Sequence, residues 1–223
     1  MESFIFKNIN SNSLGIVVKE MPLIPRAEKN IETINISGRN KPLHIDNNNY
    51  LSRSYTISCV LKDKTYLDNI SSLFVGSGKL ELSKYPDRYF NATIKNQINF
   101  KSYLNYLNEF PLQFELDPIS FSKTETTVEK TSSSTISVDG NVEVCPKITV
   151  TGTGTFSING ESVQVLETGI TIDSDLMVCS NNSVAKNDKV ILNNFPKLKP
   201  GTNTITIGEG ITKLTIKYEC GWL

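Results

Sequence analysis

The sequence predicts a mainly β protein of two domains, with one helix in the N-terminal domain and a β-sandwich behind it. Three observations carry this. Short runs that alternate apolar and polar residues recur along the chain, with the period of a half-buried strand. Turn-forming residues separate them at close spacing, Asn159-Gly160 most sharply. One stretch alone, residues 63–75, sets its apolar side chains at helical spacing. With 223 residues, 38% of them hydrophobic, the chain can build sizeable cores and is too apolar for disorder.

In order, Phe4-Ile5-Phe6 and residues 14–19 read as strands divided by the turn formers Asn10-Ser11-Asn12-Ser13. Residues 21–26 carry Pro22 and Pro25, which remove ladder donors, so the segment is an edge or an extended loop. Residues 31–37 return to strand and stop at Gly38-Arg39-Asn40-Lys41-Pro42. Across residues 53–61, Tyr55, Ile57 and Cys59 share one face. The helix follows, with Asp63 or Thr65 as N-cap, Tyr66, Ile70, Leu73 and Phe74 on one face, and Gly76 or Gly78 as its end. Residues 79–82, 89–94 and 108–116 are the next strands, the last alternating in strict period two.

Composition shifts at residues 122–137, which are polar and rich in Ser and Thr. That stretch reads as a solvated linker or a long hairpin arm, with a domain boundary near 125–140. Beyond it, strands are expected at 148–151, 155–158, 162–165, 170–173, 189–192, 203–207 and 214–218, the pattern of two packed sheets.

The 23 Lys and Arg balance the 23 Asp and Glu, so the formal net charge is zero. Neutrality argues against a general nucleic-acid binder, whose affinity comes from cationic attraction and counterion release. It favours association between copies, because self-repulsion is weak. No apolar run approaches the roughly 18 residues of a membrane helix. The opening Met1-Glu2-Ser3-Phe4 has an acid where a signal peptide needs a base, so no signal peptide is expected.

Catalytic constellations are nearly absent. His44 is the single histidine and lies beside apolar residues, where a structural or surface role is the ordinary one. Gly76-Ser77-Gly78-Lys79 lacks P-loop spacing, since one residue separates its glycines and Leu80 follows the lysine; it reads as a helix-ending turn. Gly152-Thr153-Gly154 opens no helix, so tight hairpin geometry explains it better than a dinucleotide fingerprint. Asp173-Ser174-Asp175 offers too few oxygen ligands for calcium and reads as a turn, as does Gly208-Glu209-Gly210. Cys59, Cys145, Cys179 and Cys220 are far apart and form no zinc-type pair, and disulfides are not expected. No catalytic, cofactor-binding or metal residue is therefore assigned. For sugar binding, the aromatic candidates are Phe156, Phe195, Tyr218 and Trp222; Phe156 and Tyr218 read as core, and Trp222 as a chain-end pin.

Two stretches resemble the distal tail proteins of long-tailed bacteriophages, the tail-hub component called Dit. In the first half the matching order is Phe4-Ile5-Phe6, Leu14-Gly15-Ile16, Pro25-Arg26, Ser37-Gly38-Arg39-Asn40, the strand at 55–61, Gly76-Ser77-Gly78, and the run from Leu80 to Tyr89. In the second it is the run from Pro146 to Gly154, then 172–177, then Phe195-Pro196-Lys197-Leu198-Lys199-Pro200-Gly201-Thr202-Asn203-Thr204-Ile205. The last segment is the most specific, and the resemblance covers nearly the whole chain. The sequence departs at Asn40-Lys41, where the family often has an acid and a glycine, which puts the local turn in question.

The resemblance implies a tail-tube-like, ring-forming split-barrel or sandwich domain over residues 1–125, a Ser/Thr-rich linker or arm over 126–140, and a galectin-like β-sandwich over 141–223. It implies a non-enzymatic structural subunit at the virion tail tip, assembled in the host cytoplasm. Six copies would form a ring with DNA passing through as cargo. The ring would join the tail tube protein to a tail-associated (Tal) or receptor-binding protein at the baseplate. Residues 120–137 are expected to contribute to the ring contact by strand addition. The alternative reading is an adhesin that grips cell-wall saccharide through its C-terminal sandwich.

Overall fold

The period-two runs become strands, and their buried faces define two separate cores. The computed structural model describes residues 2–62, 70, 73–94, 101–103 and 107–223. Backbone contacts divide the chain into residues 1–120 with Leu223, and residues 121–222.

The first unit contains β1 (Phe4–Phe6), β2 (Ile9–Asn10), β3 (Ile16–Glu20), β4 (Lys29–Ile34), β5 (Leu43–Tyr50), β6 (Arg53–Leu61), β7 (Gly76–Leu82), β8 (Arg88–Ile94), β9 (Lys101–Tyr103) and most of β10 (Leu107–Ser122). One sheet is ordered β2-β1-β7-β8-β10-β6-β3, with β9 also on β10, while β4 and β5 form a sheet of their own. In β6, Tyr55, Ile57, Cys59 and Leu61 are buried, as the alternation predicts. Across the ladder Phe110 opposes Cys59, Leu112 opposes Ile57 and Phe114 opposes Tyr55. The Phe114 ring lies edge-on to Phe6 at 5.5 Å and to Phe4 at 6.1 Å, tying β1 to the same core. Each such side chain contributes about 1.5–3 kcal/mol by leaving water.

The helix expected over 63–75 lies largely outside the described residues. Within that stretch Ile70 and Phe74 are buried, and the Phe74 N–H donates to the Ile70 carbonyl at 3.0 Å. Gly76-Ser77-Gly78, expected as a helix-ending turn, belongs instead to β7: Ser77 pairs with Thr93 and Gly78 with Ala92. The glycine at 78 answers a close approach, since a Cβ there would come within 2.5 Å of the Lys7 side chain. Residues 21–26 run extended outside any ladder, as their prolines require.

The second unit contains β11 (Thr126–Lys130), β12 (Ser134–Val138), β13 (Lys147–Gly152), β14 (Gly154–Ile158), β15 (Glu161–Val165), β16 (Ile170–Asp173), β17 (Val178–Asn181), β18 (Val184–Ala185), β19 (Val190–Leu192), β20 (Gly201–Ile207), β21 (Ile211–Tyr218) and β22 (Gly221–Trp222). A six-stranded sheet is ordered β11-β21-β13-β16-β17-β18 and a five-stranded one β12-β20-β14-β15-β19. Ile148, Val150, Ile172, Leu214 and Ile216 from the first meet Phe156, Ile158, Val163 and Ile205 from the second in one core, a sandwich arrangement.

The Ser/Thr-rich stretch is therefore not a linker. Its two halves pair in different sheets, β11 with β21 and β12 with β20, so it is not a hairpin arm either. Its polar residues alternate with Ile136 and Val138, which enter the core. The unit boundary falls inside β10, between residues 120 and 121, and not within 125–140. Asn159-Gly160 does turn β14 into β15, with φ of 51° and 89° and Ile158 opposite Glu161. Gly152-Thr153-Gly154, by contrast, joins strands of different sheets. It interlocks with the Gly208-Glu209-Gly210 turn: Thr153 N–H donates to Gly210 carbonyl at 3.0 Å, and Gly208 N–H to Thr155 carbonyl at 2.8 Å.

Candidate assembly site

Among the described residues of the first unit, the β4–β5 ribbon is the stretch most exposed to solvent. Glu32 opposes Ile45 and Ile34 opposes Leu43, so Ile34, Leu43 and Ile45 share one face, with Ile36 two residues beyond Ile34. These four aliphatic side chains are 37%, 46%, 38% and 38% exposed, in the order Ile34, Leu43, Ile45, Ile36. The opposite face is mixed: Ile31, Thr33, His44 and Asp46. A two-stranded ribbon is marginal in water, and this one exposes an aliphatic cluster interrupted by Glu32, which makes it the candidate surface.

Polar contacts hold the ribbon's shape. Lys29 pairs with Asp46, and the Asn48 N–H donates to the same carboxylate at 2.9 Å. The Lys29 bond, more than the Asn48 one, holds the Asp46 carboxyl below its ordinary range. Pairing jumps from Tyr50–Lys29 to Asp46–Ile31, which bulges residues 47–49 out of register and puts Asn48 at φ 55°. His44 is exposed and its Nδ1 sits 3.0 Å from Thr33 Oγ1, a surface contact of the ribbon.

The ribbon's root is fixed by side chains reaching a proline-bearing strap. Arg53 Nη1 donates to the Pro25 carbonyl at 2.7 Å and Nη2 to the Pro118 carbonyl at 3.1 Å. Tyr55 Oη donates to the Pro22 carbonyl at 2.8 Å, and Lys84 Nζ to the Met21 carbonyl. At the base, the Leu51 N–H donates to the Glu28 carbonyl at 2.8 Å. The ribbon thus leaves a base held by side-chain to backbone hydrogen bonds.

The remaining sequence candidates are dispersed. Asp173 caps its turn by accepting from the N–H groups of Asp175 at 3.2 Å and Leu176 at 3.1 Å, and pairs with Lys147 at 3.0 Å. Glu209 lies in the interlocked turn described above. Among the described residues, no group of three or more His, Cys, Asp or Glu side chains is placed to hold a metal ion. All four cysteines are free thiols, with Cys145 exposed and Cys59, Cys179 and Cys220 buried. Phe156 and Tyr218 are core, Trp222 is half-buried against it, and half-buried Phe195 lines a surface concavity. Among the described residues, no helix is long and apolar enough to cross a membrane.

Sequence reasoning missed half of this surface. Residues 43–50 were not expected as a strand, yet Leu43 and Ile45 in period two, with Leu43 opposite Ile34 and Ile45 opposite Glu32, are the signal of a paired ribbon.

The sequence matches no family model and no curated protein. The fold, however, is similar to the crystal structure of the Dit protein (gp 19.1) of phage SPP1, described as a paradigm of the hub adsorption apparatus in phages that infect Gram-positive bacteria. The TM-score is 0.80 over 100% of both chains, at 12% sequence identity. The Dit-like character read from the ordered motifs is thus found again at the level of fold.

Proposed function

We propose that this chain is a structural subunit of a phage tail hub, a distal tail protein that closes into a six-membered ring. The exposed aliphatic cluster of Ile34, Ile36, Leu43 and Ile45, beside Glu32 at the β4–β5 ribbon, is the observation that carries this reading. Its occupant is a neighbouring copy: the chain carries no net charge, so like copies approach without penalty. A closed ring requires each subunit to offer two different surfaces, and a projecting ribbon received by another face is such a heterologous contact.

In this reading the first unit is the tail-tube-like, ring-forming part and the second a galectin-like sandwich. The ring joins the tail tube to the tail-tip, Tal or receptor-binding protein of a phage or prophage baseplate, with DNA as passing cargo. It resides at the virion tail tip, after assembly in the host cytoplasm, and makes or breaks no bond. The fold shared with a known hub protein supports this role. β11 and β12 are terminal strands of their sheets, so the strand-addition role expected for residues 120–137 is kept beside the ribbon contact.

Negative-stain microscopy of the purified protein tests the proposal. Six-fold annuli are expected; monodisperse single subunits at every concentration would refute it.

A further inference from the structure

Charge on the β4–β5 ribbon is sorted by end. Residues 33–45, the outer part, carry Arg39, Lys41 and His44 and no acid, whereas Glu28, Glu32 and Asp46 all lie toward the root. Arg39 and Lys41 are exposed, and with Asn40, Pro42 and Leu43 they line a concavity of about 340 Å³. We infer that this cationic tip docks on the root of the next copy's ribbon, at Glu115 and Asp117, so that copies join head to tail. The inference rests on the ring reading above and names the surface that receives the ribbon.

The receiving surface is set by β10. That strand carries Glu109, Glu115 and Asp117 and no base, while no other described strand of the first unit carries more than one acid. Phe114 and Leu116 are buried, so Glu115 and Asp117, at alternate positions, lie on the face turned away from the core. The Ser52 hydroxyl donates to Glu115 Oε1 at 2.8 Å, two residues beyond the end of β5, which puts this acidic pair at the root of the ribbon. Glu109 is already engaged by Lys19 at 2.6 Å and is left out of the contact.

Tip and root cannot meet within one copy. The ladder from Ile34–Leu43 to Lys29–Tyr50 holds them apart by roughly 20 Å, at about 3.3 Å per residue of strand. The carboxylates that Arg39 and Lys41 reach are therefore those of another copy. A contact whose two halves stand at opposite ends of one element is heterologous, and it repeats from copy to copy until it closes. Exposed ion pairs add little affinity, so burial of the aliphatic cluster supplies most of the attraction. The charges set direction and register, because like charges brought together oppose docking.

Two charge-reversed variants of the full chain test this by light scattering coupled to size exclusion: Arg39→Glu, Lys41→Glu at the tip and Glu115→Lys, Asp117→Lys at the root. Alone, each variant sets like charges at every junction and is expected to associate about tenfold more weakly or worse than the parent. Mixed in equal amounts, the two restore opposite charges at every junction of an alternating ring, which an even number of positions accommodates. The mixture is therefore expected to assemble as the parent does. Because Glu115 also holds Ser52, Asp117→Lys alone serves as a second root variant, expected to weaken assembly less and to be partly rescued by the tip variant. Circular dichroism reads folding of each variant separately. If the reversed variants assemble like a hexameric parent, or the mixture stays apart, the inference is overturned and the ring reading stands. A parent that never assembles overturns both.

Discussion

The hydroxyl of Tyr55, on β6, donates a 2.8 Å hydrogen bond to the carbonyl of Pro22, on a segment that has no strand partner. Pro22 and Pro25 have no N–H to offer a ladder, so side chains from the sheet hold this strap by its carbonyls. Tyr55→Phe keeps the ring in the core and removes the donor. We expect a loss of about 1–2 kcal/mol, read as a lower urea midpoint with an unchanged slope.

The interlocked glycine turns make a sharper prediction for the second unit. A Cβ on Gly210, at φ 85°, would stand 2.1 Å from the Thr153 carbonyl oxygen, with backbone on the other side unable to yield. Gly210→Ala should cost about 2 kcal/mol or more, from strain and displacement together. Gly160→Ala has nothing within 4 Å and pays only its positive φ of 89°, so it should cost less. Thermal unfolding by circular dichroism ranks the two.

Asp173 provides the acid dependence. Burial pushes its carboxyl up, but the Lys147 bond and the turn N–H groups outweigh burial and hold it below the ordinary value. The native state then binds fewer protons than the unfolded one near that pH. Stability from this group is present above the unfolded pKa of about 3.9 and lost as pH falls through the lower folded value. Asp173→Asn should therefore destabilise at pH near 7, begin to converge with the parent below about pH 4 and meet it only below the lowered folded value, in urea titrations.

Thiol chemistry should separate the cysteines. Burial pushes the Cys59 thiol up to about 12, and desolvation raises Cys179, Cys220 and Cys145 too, but of the four Cys145 alone is exposed, so access separates them. A maleimide is expected to label one cysteine in the native protein and four in urea. Rapid labelling of Cys59 in the native state would contradict its burial.

What the sequence made legible was local. The Asn159-Gly160 hairpin and the inward face of Tyr55, Ile57 and Cys59 depend on neighbours a few residues away, and both are found where expected. The Gly152–Gly154 turn was misread because its partner, Gly210, lies far along the chain, and only the fold brings them together. Composition misled at 126–138, where the abundance of Ser and Thr masked the alternation of Ile136 and Val138 into the core. The Phe195 concavity combines residues from three separate stretches, so spacing alone gave the aromatic ring but not its charged neighbours. The ribbon was half seen, through residues 31–37, because an aliphatic strand reads the same whether its face is covered by its own chain or by another.

The mass of the purified protein in solution, compared with that of an Ile34→Glu, Ile45→Glu variant by light scattering coupled to size exclusion, tests the ribbon's role most directly. The parent should elute as a hexamer and the variant as a folded monomer with the same circular dichroism spectrum. A parent that stays monomeric, or a variant that still assembles, would contradict the claim that this face is made to be covered by a second copy.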